Sequence, residues 1–377
     1  MSAALALMLM FAAAKSTPLI VGASIADSIS AAWEEDSEGL WERYQTRLPE
    51  PLPQWRIRHQ HRGVMDGVAV MDYELQPDEA FLPPLIVAVG GSEGGFWLGG
   101  PGRRPTSGRF GQILMEFGFS IRSIAHFGGR PLPEWFGEGE LPPRLAEGRL
   151  EAIAEVIRDA RTTRGAQRRC IGFVGVSKGG ELTLLLAAHS DTLAGEGSPL
   201  MDAAVAAVPS HVVLQSPHRT LRVNSSWSLA GEPLDFVRYP WLSPHVPGAL
   251  LRDYEAVLRL GRQALSNEAM VARAVIPVEQ AAMPVLMLGA TRDHMWPSAE
   301  MSRAALARAE RLNPDHTVSL AEYDLDHFVM SYPEPILDTV VFFYETLRQA
   351  AQEGRCEADF ADPWHPDGAP SSELASD

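Results

Sequence analysis

Cysteine is almost missing from this sequence: Cys170 and Cys356 are the two present in 377 residues. So few thiols imply no disulfide framework of the kind that staples small secreted domains, and Cys170, inside an apolar run, reads as a small core residue. Basic residues are also in deficit. Lys and Arg total 32 against 48 Asp and Glu, a formal charge of −16, and that balance argues against nucleic acid as a partner, because phosphate binding is largely a Lys/Arg effect. No apolar run reaches the roughly 20 residues that a membrane-spanning helix needs, so no stable membrane insertion is expected. Neither G-x-x-x-x-G-K-[ST] nor a spaced-glycine dinucleotide fingerprint occurs, which removes the common nucleotide-binding loops. His59 and His61 alternate onto one face of a strand, but no third ligand lies nearby, so solvated histidines and no metal are expected there. No internal repeat is visible.

Apolar residues, at 46%, are plentiful enough for a large core. The amino-terminal MSAALALMLMFAAAKS is apolar over most of fourteen residues and ends in three alanines, like a signal h-region with its cleavage site, but its first positive side chain is Lys15. A cytoplasmic protein is expected, with export through an atypical signal as the alternative. Residues 1–24 are therefore set apart from a single domain over 25–350. The acidic, proline-containing stretch 351–377 reads as a disordered tail.

Within the domain, SISAAWEEDSEGLWERYQTRL has the pattern of an amphipathic helix. WRIRHQHRGVMDGVAVMDYELQ alternates around Asp66-Gly67 and predicts a hairpin at a sheet edge. Buried strands are expected at residues 84–91, 119–126, 170–176, 205–215, 284–293 and 317–323, with helical runs between several of them. That alternation predicts an α/β fold, a mostly parallel sheet with helices on both faces. The proline-rich pattern over 216–283 resembles a cap-like insertion.

The most informative stretch is CIGFVGVSKGGELTLLLAAHS, where Gly175, Ser177 and Gly179 form G-x-S-x-G. Glycine-rich chains produce this pattern by chance, so its flanks decide. An apolar β-branched run precedes it and a helical run follows, which is the strand–turn–helix setting that lifts a strained serine hydroxyl above a sheet. A nucleophilic serine needs a base and an acid that orients the base, in the chain order Ser, acid, His. Asp293 lies at the carboxyl end of the strand PVLMLGATRD, and His327 in the loop after VSLAEYD. His294 is adjacent to the acid, and His189, His211 and His316 precede the last strand, so His327 is preferred. Asp324 and Asp326 are too close to the base, and Asp202 and Asp235 follow no strand end. Two backbone amides should hold an oxyanion: that of Lys178, after the nucleophile, and that of Ser92, in the glycine loop after residues 84–91.

GVSKGGEL, PVLMLGATRDHMWPS and EYDLDHF resemble the carboxyl-terminal α/β-hydrolase domain shared by long-chain acyl-CoA thioesterases and bile-acid-CoA:amino-acid N-acyltransferase, over roughly residues 80–350. The resemblance implies the α/β-hydrolase fold, with Ser177, Asp293 and His327 at the three catalytic positions and Trp296 as the aromatic after the acid. It implies an acyl thioester as the small-molecule substrate, water as the acceptor because serine rather than cysteine is the nucleophile, and no cofactor. Asp326 stands where the family has glycine before the base, GGSEGG replaces its F-G-x-G-G-G, and its amino-terminal β-sandwich has no room here. A carboxylesterase of dienelactone-hydrolase type, acting on small oxygen esters, is the alternative activity, and a binding protein on a hydrolase fold the non-enzymatic one. Arg103, Arg104, Arg219 and Arg222 could meet the phosphates of CoA or simply be solvated.

Overall fold

Asp66 and Gly67 both take positive φ, 47° and 79°, and so fold β1 (Arg56–Met65) back on β2 (Val68–Gln76) as a tight hairpin. The computed structural model describes residues 56–76, 81–100, 108–128, 141–195, 199–217, 223–251 and 253–360. The amino-terminal segment 1–24, the amphipathic run before residue 49, the four arginines named above and residues 361–377 lie outside the described residues, as do the side chains of His59 and His61.

The hairpin edges an eight-stranded sheet that continues with β3 (Leu85–Val89), β4 (Ser120–Ala125), β6 (Ile171–Val176), β7 (Ala203–Ala207), β10 (Val285–Ala290) and β11 (Val318–Tyr323), in the order β1-β2-β4-β3-β6-β7-β10-β11. β2 runs antiparallel to β4, and from β4 onward every pairing is parallel. The inner strands β3, β6, β7 and β10 are buried on both faces, which explains their continuous apolar runs, whereas the edge strand β11 is partly exposed. The period of two then sorts their side chains. Ile86, Ala88 and Val174 face one way, into a core with α1 (Arg109–Glu116) and the final helix α9 (Pro333–Gln352). Leu85, Val87, Val89 and Phe173 face the other way, against α2 (Leu150–Arg161), α3 (Lys178–Ala188) and α8 (Ser298–Leu312). The protein has the α/β-hydrolase fold.

A short helix α4 (Ser190–Ala194) follows α3, and between β7 and β10 the insertion carries β8 (Trp227–Leu229), which pairs in parallel with β5 (Gly148–Arg149) ahead of α2, then β9 (Glu232–Pro233), α5 (Val246–Leu250), α6 (Tyr254–Leu265) and α7 (Glu268–Ala274). The strand expected over 205–215 is shorter than its apolar pattern suggests. It ends at Ala207 because Val208 turns to φ 44°, and the remainder makes isolated bridges to the insertion: Val212 to Val275, Leu214 to Val237 and Gln215 to Ser225.

The carboxyl-terminal reading needs the larger correction. α9 runs to Gln352, past the expected boundary, and the chain then returns to the sheet. The amide of Cys170 donates to Glu357 (2.9 Å), that of Glu357 to Arg168 (2.7 Å), and that of Asp359 to Leu82 (2.8 Å). Cys170 and Cys356 are joined in a disulfide. Residues 351–360 are thus not a disordered tail, and Cys170 is not a free core thiol. Backbone pairing and a covalent tie hold an acidic segment that has little apolar area of its own.

Candidate active site

β6 ends at Val176 and α3 begins at Lys178, leaving Ser177 alone in the turn with φ 59° and ψ −116°. A non-glycine residue in such a conformation costs on the order of 1–3 kcal/mol. The surroundings impose it: the Ser177 amide donates to the Ala207 carbonyl at 2.9 Å, and the Ser177 carbonyl accepts from the Glu181 amide at 3.0 Å. Gly175 is required by closeness, since a Cβ there would fall 2.1 Å from the carbonyl oxygen of Gly179.

The loops that carry Asp293 and His327 meet at the same end of the sheet. Asp293 Oδ1 accepts the amides of Met295 (2.8 Å) and Trp296 (3.2 Å), and Oδ2 lies 2.8 Å from His327 Nδ1. Burial alone would raise the Asp293 pKa, but the His327 charge, together with hydrogen bonds from His327, Ser298 and the Met295 amide, outweighs it and holds the carboxyl below its usual range. With Nδ1 turned to the carboxylate, Nε2 is the ring nitrogen left free of it. Asp326, the residue in the place of the family's glycine, accepts the Phe328 amide at 2.9 Å and so fixes the turn that presents His327.

Trp296 connects these loops to the elbow. Its indole donates to the Val208 carbonyl at 3.1 Å, one residue beyond the carbonyl that holds Ser177, and its ring meets His327 edge-on at 5.5 Å. Asp293 and His327 are therefore brought together, and Ser177 is anchored to the adjacent residue of the same strand end. Ser177 and His327 are not hydrogen-bonded to each other in this arrangement. Catalytic hydrogen bonds often close only around substrate.

The glycine loop runs against Ser177, for a Cβ at Gly91 would lie 3.0 Å from the Ser177 Cβ. The Gly91 amide is taken by the Glu93 carboxylate at 3.0 Å. Among the described residues, the amides of Ser92 and Lys178 have no hydrogen-bond partner. None of the competing histidines is hydrogen-bonded to Asp293: His294, next to it in the chain and within reach of its charge, packs against the rings of Tyr254 and Phe328, His316 accepts the Val318 amide, and His211 is half-buried with Nδ1 enclosed and unpartnered. A cavity of about 650 Å³ lies in the insertion, lined by residues that include Arg238, Tyr239, Trp241 and Met270, and none of Ser177, Asp293 or His327 borders it. Sequence reasoning passed over the Lys178 side chain, Glu181 and Trp227, which form a buried network beneath the elbow. The acidic residue one turn after Ser177 was the available signal.

Sheet order and elbow define the class, and the protein is an enzyme, a serine hydrolase of the α/β-hydrolase type. More particularly, residues 155–333 match the family model described as the BAAT / acyl-CoA thioester hydrolase C-terminal domain, a span that includes Ser177, Asp293 and His327. No curated protein matches. Among solved structures, an esterase of Pyrococcus furiosus is similar at 12% identity and a TM-score of 0.44, over 77% of this chain and 92% of its own. Esterase B of Lactobacillus rhamnosis is similar at 16% identity and 0.46, over 89% and 98%. A Pyrococcus horikoshii acylaminoacyl peptidase is similar at 16% and 0.48, over 82% and 43%. At these scores they add nothing to what the sheet order shows.

Proposed function

We propose that Ser177, His327 and Asp293 act as a charge relay that hydrolyses acyl thioesters of the acyl-CoA type. The observation that carries the reading is the Asp293–His327 pair at 2.8 Å, delivered by two loops to the strand end that also anchors the strained Ser177. Ser177 Oγ adds to the acyl carbonyl carbon while His327 Nε2 takes the hydroxyl proton. Asp293 orients the imidazole and stabilises the imidazolium. The carbonyl oxygen becomes an oxyanion held by the amides of Lys178 and Ser92. Collapse breaks the bond to the leaving thiolate, which receives the proton from His327. Water, deprotonated by His327, then cleaves the acyl-enzyme to a carboxylic acid and free Ser177. These steps call for no cofactor and no metal. The thioester substrate is supported by the family description matched over residues 155–333.

One observation favours a second reading. Disulfides persist mainly in oxidising compartments, and Cys170–Cys356 fits an exported protein that would meet small oxygen esters rather than acyl-CoA. That enzyme would be a carboxylesterase of dienelactone-hydrolase type, using the same relay. The test is the purified protein against acyl-CoA thioesters and p-nitrophenyl esters of matched acyl groups. Higher kcat/KM for the thioester supports the first reading, and cleavage of oxygen esters alone transfers the assignment to the second. Full activity in Ser177→Ala would remove the relay from both.

A further inference from the structure

The first turn of α3 contains two successive glycines, and the packing leaves no alternative. A Cβ at Gly179 would lie 2.4 Å from the Gly90 carbonyl oxygen, and one at Gly180 would lie 2.7 Å from that of Ala207. Glycine in a helix is entropically soft, so the turn that carries the Lys178 amide lacks intrinsic stiffness.

A buried ion pair spans those two glycines. Lys178 Nζ lies 3.0 and 2.9 Å from the carboxylate oxygens of Glu181 and donates to the Leu214 carbonyl at 3.2 Å. Glu181 Oε1 accepts from the Leu214 amide at 3.2 Å and from the Trp227 indole at 2.8 Å. Lys178 is 4% exposed and Glu181 0%. Burial pushes the Lys178 ammonium down and the Glu181 carboxyl up, and each charge is the main influence opposing the other's shift. Removing two charges from water is costly, and a buried pair is weak evidence for stability alone. Here it has a second consequence: Lys178 carries the amide that faces the oxyanion on the same Cα as the immobilised side chain.

We propose that Lys178 and Glu181 are positioning residues, whose ion pair stiffens the glycine turn, aims the Lys178 amide at the oxyanion, and ties that turn to the insertion through Leu214 and Trp227. This rests on the relay proposed above.

The informative variant is Lys178→Met/Glu181→Gln. It removes both charges and cuts the tie to residue 178, while the amide oxygen of the new side chain can still accept from Leu214 and Trp227, so folding is retained. The expected result is a melting temperature close to wild type, kcat lower by about 10- to 100-fold and KM within about twofold, because a misaimed oxyanion donor is lost only in the transition state. The rate at which a fluorophosphonate labels Ser177 should fall in parallel, with the pH profile of kcat/KM unmoved. Trp227→Phe, which removes one bond to Glu181 and keeps both charges, should lose kcat by several-fold. A folded double variant with wild-type kcat and labelling rate overturns the proposal, and failure of both variants to fold assigns the pair to stability alone and does the same. Ser177→Ala run alongside separates the two levels: if it stays active the relay itself is wrong, whereas an inactive Ser177→Ala beside a fully active clamp variant removes only the positioning role.

Discussion

Trp296 meets His327 edge-on, with ring centroids 5.5 Å apart, and is itself held by the Val208 carbonyl. The His327 ring is therefore oriented from two sides, by Asp293 through a hydrogen bond and by Trp296 through contact. Trp296→Phe keeps the contact in part and leaves the buried Val208 carbonyl without its donor, at a cost of about 1–3 kcal/mol. It should melt at a lower temperature and lose kcat by roughly tenfold. Steady-state kinetics beside a melting curve checks both. Unchanged kcat in a destabilised variant would limit Trp296 to packing.

Asp293→Asn should lower kcat by about 10³- to 10⁴-fold with little change in melting temperature, because an amide at this position favours the wrong tautomer of His327 while preserving shape. Ser177→Ala combined with His327→Ala should be hardly slower than either alone, since residues that act as one unit lose their effect together. Additive losses would show that one of them works elsewhere.

The legible parts of this protein were those fixed by local chemistry. A hairpin turn at Asp66-Gly67, an elbow that tolerates only small flanks, and parallel strands buried on both faces all write themselves into neighbouring residues. So does the order of Ser177, Asp293 and His327. What escaped depends on partners distant in sequence. Nothing around Cys356 points to Cys170, 186 residues away, or shows that Glu357 returns to the sheet. The buried pairs Arg122–Asp72 and Arg169–Glu74 likewise join residues far apart in the chain that only the folded sheet brings together. VAAVPSHVVLQ reads as one strand because its apolar pattern is continuous, and the turn at Val208 is imposed by bonds to Leu288 and to the insertion.

The disulfide closes a loop of 186 residues, and for so long a loop the chain-entropy argument gives a stabilisation of up to about 5 kcal/mol. Cys356→Ser should lower stability by about 2–5 kcal/mol while leaving kcat near wild type at a temperature where the variant is folded. The bridge lies at the start of β6, at the opposite end of that strand from Ser177. Chemical denaturation with and without a reductant makes the measurement. A reductant should destabilise the wild type and leave the variant unaffected, and equal curves for the two oxidised proteins would contradict the stabilising role.

His126 gives the pH dependence. Its ring lies against Phe127 and Trp227, at centroid distances of 4.9 and 5.3 Å, and neither ring nitrogen has a hydrogen-bond partner. Burial lowers its pKa from 6.5 to about 4. Below pH 6.5 the unfolded chain binds a proton at this residue that the folded protein refuses until pH 4. Stability is thus fully present above the unfolded value and falls as pH drops through that window, by about 3 kcal/mol at its foot. His211 is pushed to about 4 by burial in the same way, so the wild type should show the combined loss. His126→Phe keeps an aromatic ring in the cluster and removes the titration, and it should flatten the acid limb by about half. Urea midpoints from neutral pH down to about pH 4 read the effect directly. An acid limb identical to that of the wild type would mean that folded His126 takes up its proton near pH 6.5, and that the aromatic cluster opens to water before the protein unfolds.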